Sequence, residues 1–144
     1  MARREIQSVE VSCFVHATED EAKVKDGIVR ALGVEDGPSE ETLEGHFGNP
    51  IVHLVWHATG EAAWAAFTRL VEFIGDGGRK EVLGGLEGNT DEHGALYLRL
   101  NKQALVRGTA LFSSSDPVRV RVKPRRFMMK GSPEKFYREL MEPK

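Results

Sequence analysis

Residues 43–50 oblige the chain to reverse direction. Leu43, Glu44, Gly45, His46, Phe47, Gly48, Asn49 and Pro50 set two glycines and an Asn-Pro step between apolar flanks, the punctuation of a tight connection between two strands. Gly45 and Gly48 can take positive φ, and Pro50 pushes Asn49 towards an extended conformation. Residues 51–58 then run almost continuously apolar. A hairpin here requires a sheet with antiparallel neighbours, on which the other elements must be arranged.

Residues 6–16 alternate with a period of two. Val9, Val11, Cys13 and Val15 fall on one face and Ser8, Glu10, Ser12, Phe14 and His16 on the other, as in a half-buried strand. Thr18 followed by Glu21 is a capping-box pattern for a helix, with Glu19 and Asp20 in its first turn. Val24, Ile28, Val29 and Leu32 form the apolar stripe of that helix, and Gly33 ends it. Residues 34–41 read as a polar loop and 41–47 as a short strand entering the hairpin. Thr59 or Gly60 opens a second helix, carrying Ala63, Trp64, Phe67, Leu70, Val71 and Ile74 at helical spacing. Residues 75–78 end it, and a shorter helix is expected over 79–86. Residues 95–100 alternate again, 102–106 form a helical turn, and short strands are expected near 109–112 and over 118–124. Ser132, Pro133 and Glu134 start a C-terminal helix with Phe136, Tyr137 and Leu140.

The expected order is therefore β-α-β-β-α-α-β-β-β-α. Directly joined hairpins with helices grouped between them predict an α+β fold, a mostly antiparallel sheet with helices packed on one face. Trp56 and Trp64 are assigned to its core.

A chain of 144 residues can bury one core without disulfides or a structural metal. The single Cys13 excludes an intrachain disulfide. No apolar run is long enough to span a bilayer and residues 1–5 lack the character of a signal peptide, so a cytoplasmic protein without membrane contact is expected. The net charge of −2 conceals a division. Residues 1–98 carry 8 Lys and Arg against 18 Asp and Glu, whereas residues 99–144 carry 12 against 4. An acidic body with a basic C-terminal third predicts an anionic partner held on one surface. Residues 1–126 are read as one α+β domain and 127–144 as a basic tail with a short helix.

The strongest functional signal is the last strand. Alternation turns Val118, Val120 and Val122 inwards and Arg119, Arg121, Lys123 and Arg125 outwards. Same-face neighbours lie about 7 Å apart along a strand, comparable to adjacent phosphates, so this row suits a nucleic-acid backbone. The alternative is a solvated edge that uses charge to prevent strand addition. Tyr97 and Arg99 are expected on the same face, with Phe14 and His53 on neighbouring strands, and aromatics beside guanidinium groups suit unstacked RNA bases. Lys102, Arg107 and Arg126 complete the expected RNA-binding set. Phe14, Ile51 and Val55 could instead form a homodimer surface or lie beneath the C-terminal helix.

Two His-x-Thr tripeptides, at His16 and His57, resemble the paired motifs of two-histidine phosphoesterases, in which the histidines supply acid and base. A small phosphodiesterase or nuclease using His16 and His57 is thus the rival enzyme reading. Neither threonine is followed by an apolar residue, and helix entry, with Thr18 and Thr59 as caps, is the better explanation of both tripeptides. His53 and His57 could join His16, His46 or Cys13 around a metal, but no tight zinc-type pairing exists and no cofactor is expected. Asp91 and Glu92 fit a turn before Gly94.

Three segments in order carry a family resemblance. They are His16-Ala17-Thr18-Glu19-Asp20, Leu43 to Pro50, and Asp91-Glu92 followed by Gly94 to Ala104. Together they resemble a family of archaeal RNA-binding proteins predicted to be exosome subunits. The resemblance implies a double-stranded-RNA-binding-like fold, no catalysis, RNA as partner, and association with the exosome or RNA processing.

Overall fold

A computed structural model describes residues 5–34, 37–125 and 131–141. Five strands form one sheet: β1 (Ile6–His16), β2 (Ser39–Glu44), β3 (Pro50–Thr59), β4 (Leu96–Asn101) and β5 (Pro117–Pro124). Their spatial order is β2-β3-β1-β5-β4, and every pairing is antiparallel. The first and longest strand sits in the middle. Val9, Val11, Cys13 and Val15 on its inner face are each at most 3 % exposed.

Five helices accompany the sheet: α1 (Glu21–Leu32), α2 (Gly60–Gly84), α3 (Leu86–Asn89), α4 (Lys102–Val106) and α5 (Pro133–Met141). α2 lies across β1 and β3, α1 packs on α2 and α4, and α5 packs on α2 and α3. Ile28 and Leu32 of α1 and Phe67 and Leu70 of α2 meet Leu54, Trp56, Leu98 and Val120 of the sheet in one core. Each such side chain contributes about 1.5–3 kcal/mol of burial before the entropy of ordering is subtracted. The other sheet face carries Ser12, Phe14, His53, Val55, Arg119 and Arg121, none of them buried. The predicted α+β architecture, with one helix-covered face, is the observed one.

The hairpin forms where residues 43–50 require it, with a short 3-10 turn over His46–Gly48. The two glycines act differently. Gly48 takes φ 75, whereas Gly45 is needed for close approach: its N–H donates to the Asn49 carbonyl at 2.7 Å, and a Cβ there would lie 2.6 Å from Ile51 Cδ1. Phe47 takes the second positive φ, 62°, and is 99 % exposed. In α2 the expected break falls at Gly75, whose φ of 67° and ψ of −174° are accessible essentially to glycine alone.

Three local expectations are corrected. The cap of α1 is Asp20, whose carboxylate accepts from the Lys23 N–H at 3.2 Å. The Glu19 N–H is already bonded to the His16 carbonyl at 2.9 Å, so the turn delays the helix past Thr18. Thr59 does precede α2, but its side chain makes no capping bond. The strand expected near 109–112 is reduced to a bridge between Leu100 and Phe112, flanked by hydrogen bonds from Asn101 N–H to Leu111 O and Ser113 N–H to Arg99 O. This segment touches the outer edge of β4, and the chain must leave that edge to reach β5 on the inner side. The described order is thus β-α-β-β-α-α-β-α-β-α.

At the C-terminus, Ser132 Oγ accepts from the Lys135 N–H at 3.3 Å, and the buried Tyr137 hydroxyl donates to the Gly94 carbonyl at 2.5 Å. Phe136, Tyr137 and Met141 join the main core, so α5 docks among the helices and not over the open sheet face.

Candidate nucleic-acid interface

β5 turns Arg119, Arg121 and Lys123 to solvent on the open face, as its alternation requires. The register adds β4 beside them: Arg99 stands opposite Arg119, and Tyr97 opposite Arg121. On the other side, β1 sets Ser8 beside Lys123, Glu10 beside Arg121 and Ser12 beside Arg119. A shallow cleft of roughly 140 Å³ is lined by Glu10, Ser12, Tyr97, Arg99, Arg119 and Arg121. Among the described residues, Arg99, Arg119 and Lys123 have no carboxylate partner. The Arg121 guanidinium lies 5.8 Å from the Tyr97 ring centroid, within cation–π range. The Tyr97 hydroxyl donates to Asp91 Oδ2 at 3.0 Å, which fixes the ring. Asp91 also accepts from the N–H groups of His93 and Ala95, closing the turn expected there. Desolvation opposes ionisation of Asp91, but these hydrogen bonds outweigh it and hold its carboxyl below the ordinary range.

The remaining expected contacts are dispersed. Arg125 follows β5, half-buried, with its N–H donating to the Glu5 carbonyl at 2.8 Å. Arg107 is exposed in the turn after α4, a helix packed on α1 and β4. Arg126 lies outside the described residues. Lys102 is not on the surface at all, being 3 % exposed.

Lys102 instead centres a network that sequence reasoning missed. Its ammonium donates to Phe14 O at 2.6 Å, Glu19 Oε1 at 2.8 Å and Asp116 Oδ2 at 2.7 Å. Glu19 is further held by the His16 N–H and by Gln103 Nε2, and His16 Nε2 lies 3.1 Å from the same Asp116 oxygen. Burial alone would push the Lys102 pKa down; hydrogen bonds and charge from Asp116 and Glu19 outweigh it and raise the value above the ordinary one. His16, Glu19 and Asp116 offer ligand atoms within 4.8 Å of one another, but the ammonium already satisfies the two carboxylates that a metal would need. The members come from positions 16, 19, 102 and 116, a spacing with no local pattern to betray it.

The histidines are held apart. His16 pairs with Ile51 across β1 and β3, whereas His57 pairs with Glu10, six residues further along. That separation is about 20 Å at strand rise, too far for an acid and a base at one phosphodiester. His53 and His57 are four residues apart on one strand, about 13 Å, so they cannot share a metal. Cys13 is on the opposite, buried face, and desolvation pushes its thiol up to about 12. His53 has a different neighbour: its ring stacks on Phe14, centroids 4.5 Å apart and planes 17° apart. Among the described residues, no helix is long and apolar enough to cross a membrane.

The chain matches a family model described as RNA binding over residues 8–124. The RNA-binding protein PAB1135 of Pyrococcus abyssi is 29 % identical over 132 residues, spanning 85 % of this chain and 84 % of that one. The crystal structure of protein AF2318 of Archaeoglobus fulgidus superposes with a TM-score of 0.75 at 30 % identity, covering 94 % of this chain and 99 % of that. A structure from Methanothermobacter thermautotrophicus shares the fold, with a TM-score of 0.71 at 24 % identity over 95 % of this chain and 96 % of that.

Proposed function

The chain belongs to this RNA-binding family, and from that premise we propose a non-catalytic protein that holds an RNA backbone on Arg99, Arg119, Arg121 and Lys123. Tyr97 and Arg125 flank that track. The observation carrying the reading is Arg99 directly opposite Arg119 with no carboxylate partner for either among the described residues. Like charges at a cross-strand pair destabilise a sheet, and a phosphate between them removes that penalty. An edge that merely discouraged strand addition would need charge on β4, not a second row on β5 behind it.

Nucleolytic action by His16 and His57 is disfavoured by their separation of about 20 Å. We extend this proposal to a role in RNA processing beside the archaeal exosome, in the cytoplasm. A homodimer through the sheet face is the competing partner, and sedimentation at binding concentrations distinguishes it.

The test is an RNA titration across salt. Three or four phosphate contacts give a slope of log K against log salt of roughly −2 to −3 for a single strand. The double variant Arg119→Gln, Arg121→Gln should weaken all RNA sequences alike and make the slope shallower by about 1.4. Its outward side chains leave the core intact, so circular dichroism should be unchanged. A folded double variant with unaltered affinity and slope refutes the assignment.

A further inference from the structure

We infer that the RNA bound here is single-stranded, with an unpaired base stacked on the Phe14–His53 pair; this rests on the RNA-binding reading above. The charge across the open face is one-sided. Arg99, Arg119, Arg121 and Lys123 occupy β4 and β5, while the carboxylates on this face are Glu10 of β1 and, at the far edge, the exposed Glu41 of β2, which stands opposite His53. Three strand spacings separate β5 from β2, about 14 Å. A duplex laid on this face brings a second phosphate backbone over Glu41 and away from every basic side chain of the track. A single strand brings only one, and it can follow the basic side.

Between the two edges lies the aromatic pair. Phe14 and His53 face each other directly across β1 and β3, stacked at 4.5 Å on the open side, and neither is buried. β1 is also the neighbour of β5, with Ser12 opposite Arg119. Phe14 is the next outward residue along β1, so it stands one strand across and two residues along from Arg119. That offset is about 8 Å between backbone positions, within the reach of one nucleotide from its phosphate to its base. Bases in a duplex are stacked on each other and cannot offer a face to a protein ring, whereas unpaired bases can. The track and the platform together therefore select an unpaired strand.

The experiment uses the full chain with an unstructured oligoribonucleotide of roughly ten nucleotides, within the footprint of known single-strand sites, and the blunt duplex of the same sequence. The single strand carries one 2-aminopurine, whose fluorescence is quenched on stacking. We expect the single strand to bind at least about tenfold more tightly, with quenching on binding. Phe14→Leu, which keeps an apolar side chain without a ring, should weaken it by about 5- to 100-fold with the salt slope unchanged. His53→Leu is the second variant should the first not fold, and the quenching measurement needs neither.

Equal or tighter duplex binding, or binding without quenching, overturns the inference while leaving backbone recognition by the arginines standing. Absence of binding to either RNA removes the RNA-binding reading itself. A dimer in sedimentation that Phe14→Leu dissociates assigns the platform to a second copy and likewise overturns the inference.

Discussion

Replacing Lys102 by Met tests the internal network and separates it from the RNA surface. The ammonium is 3 % exposed and donates to Phe14 O, Glu19 Oε1 and Asp116 Oδ2. Removing one partner of a fully buried ion pair costs about 3–5 kcal/mol. Two features lower that figure. The Asp116 side chain is 43 % exposed and rehydrates in place, and Glu19, at 15 %, keeps the His16 N–H and Gln103 Nε2. The lost bond to Phe14 O adds about 1 kcal/mol, so the expected destabilisation is about 2–4 kcal/mol. For a chain of this size that lowers Tm by roughly 4–16 °C. Urea denaturation followed by circular dichroism and by the buried Trp56 gives the value, with the midpoint moving and the m-value unchanged. Combining Lys102→Met with Glu19→Gln should recover part of the loss, because the more buried of the two uncompensated carboxylates is then gone. The RNA salt slope should match that of the wild type, since this lysine offers no charge to solvent. A loss below about 0.5 kcal/mol, or a shallower slope in the folded variant, refutes the placement of Lys102 as an internal clamp.

Two further outcomes follow from buried positions. Desolvation pushes the Cys13 thiol up to about 12, so the folded state prefers the neutral form. Its stabilising contribution is complete below the unfolded thiol pKa of about 8.5 and is lost as pH rises from there towards 12, by up to about 1.4 kcal/mol per pH unit. Urea midpoints between pH 8 and 11 should therefore fall less steeply for Cys13→Ala than for the wild type, and parallel profiles would contradict the burial argument; the buried phenol of Tyr137 shifts upwards in the same sense and adds a background common to both proteins. Gly27→Ala should destabilise by about 1–3 kcal/mol in thermal unfolding despite alanine's helix propensity, because the new Cβ would meet Leu105 Cδ2 at 3.0 Å and the Val106 backbone at 3.1 Å. A stabilised variant would show that α4 yields where it packs on α1.

Much of this protein is local, and what is local was legible. The hairpin at 43–50 follows from residues within one turn of each other. So do the αL cap at Gly33, the break at Gly75 and the Ser132 start of α5. The outward row on β5 is legible for the same reason: a period of two fixes the face of each side chain once burial of Val118, Val120 and Val122 is granted.

Tertiary structure alone decided which rows meet. Only the order β2-β3-β1-β5-β4 sets Arg99 against Arg119 and gathers the acidic residues of β2 at the opposite edge. Lys102 shows the limit most sharply. By composition it belongs with the other basic residues, yet it is withdrawn from the surface by acceptors at positions 14, 19 and 116. The turn closed by the Glu19 N–H and the His16 carbonyl brings Glu19 there and leaves the cap of α1 to Asp20. Backbone conformation is set by neighbours a few residues away, so the chain order carries it. The environment of a charge is set by whatever the fold brings within hydrogen-bonding distance and by the water it excludes, and neither quantity exists until the elements have packed.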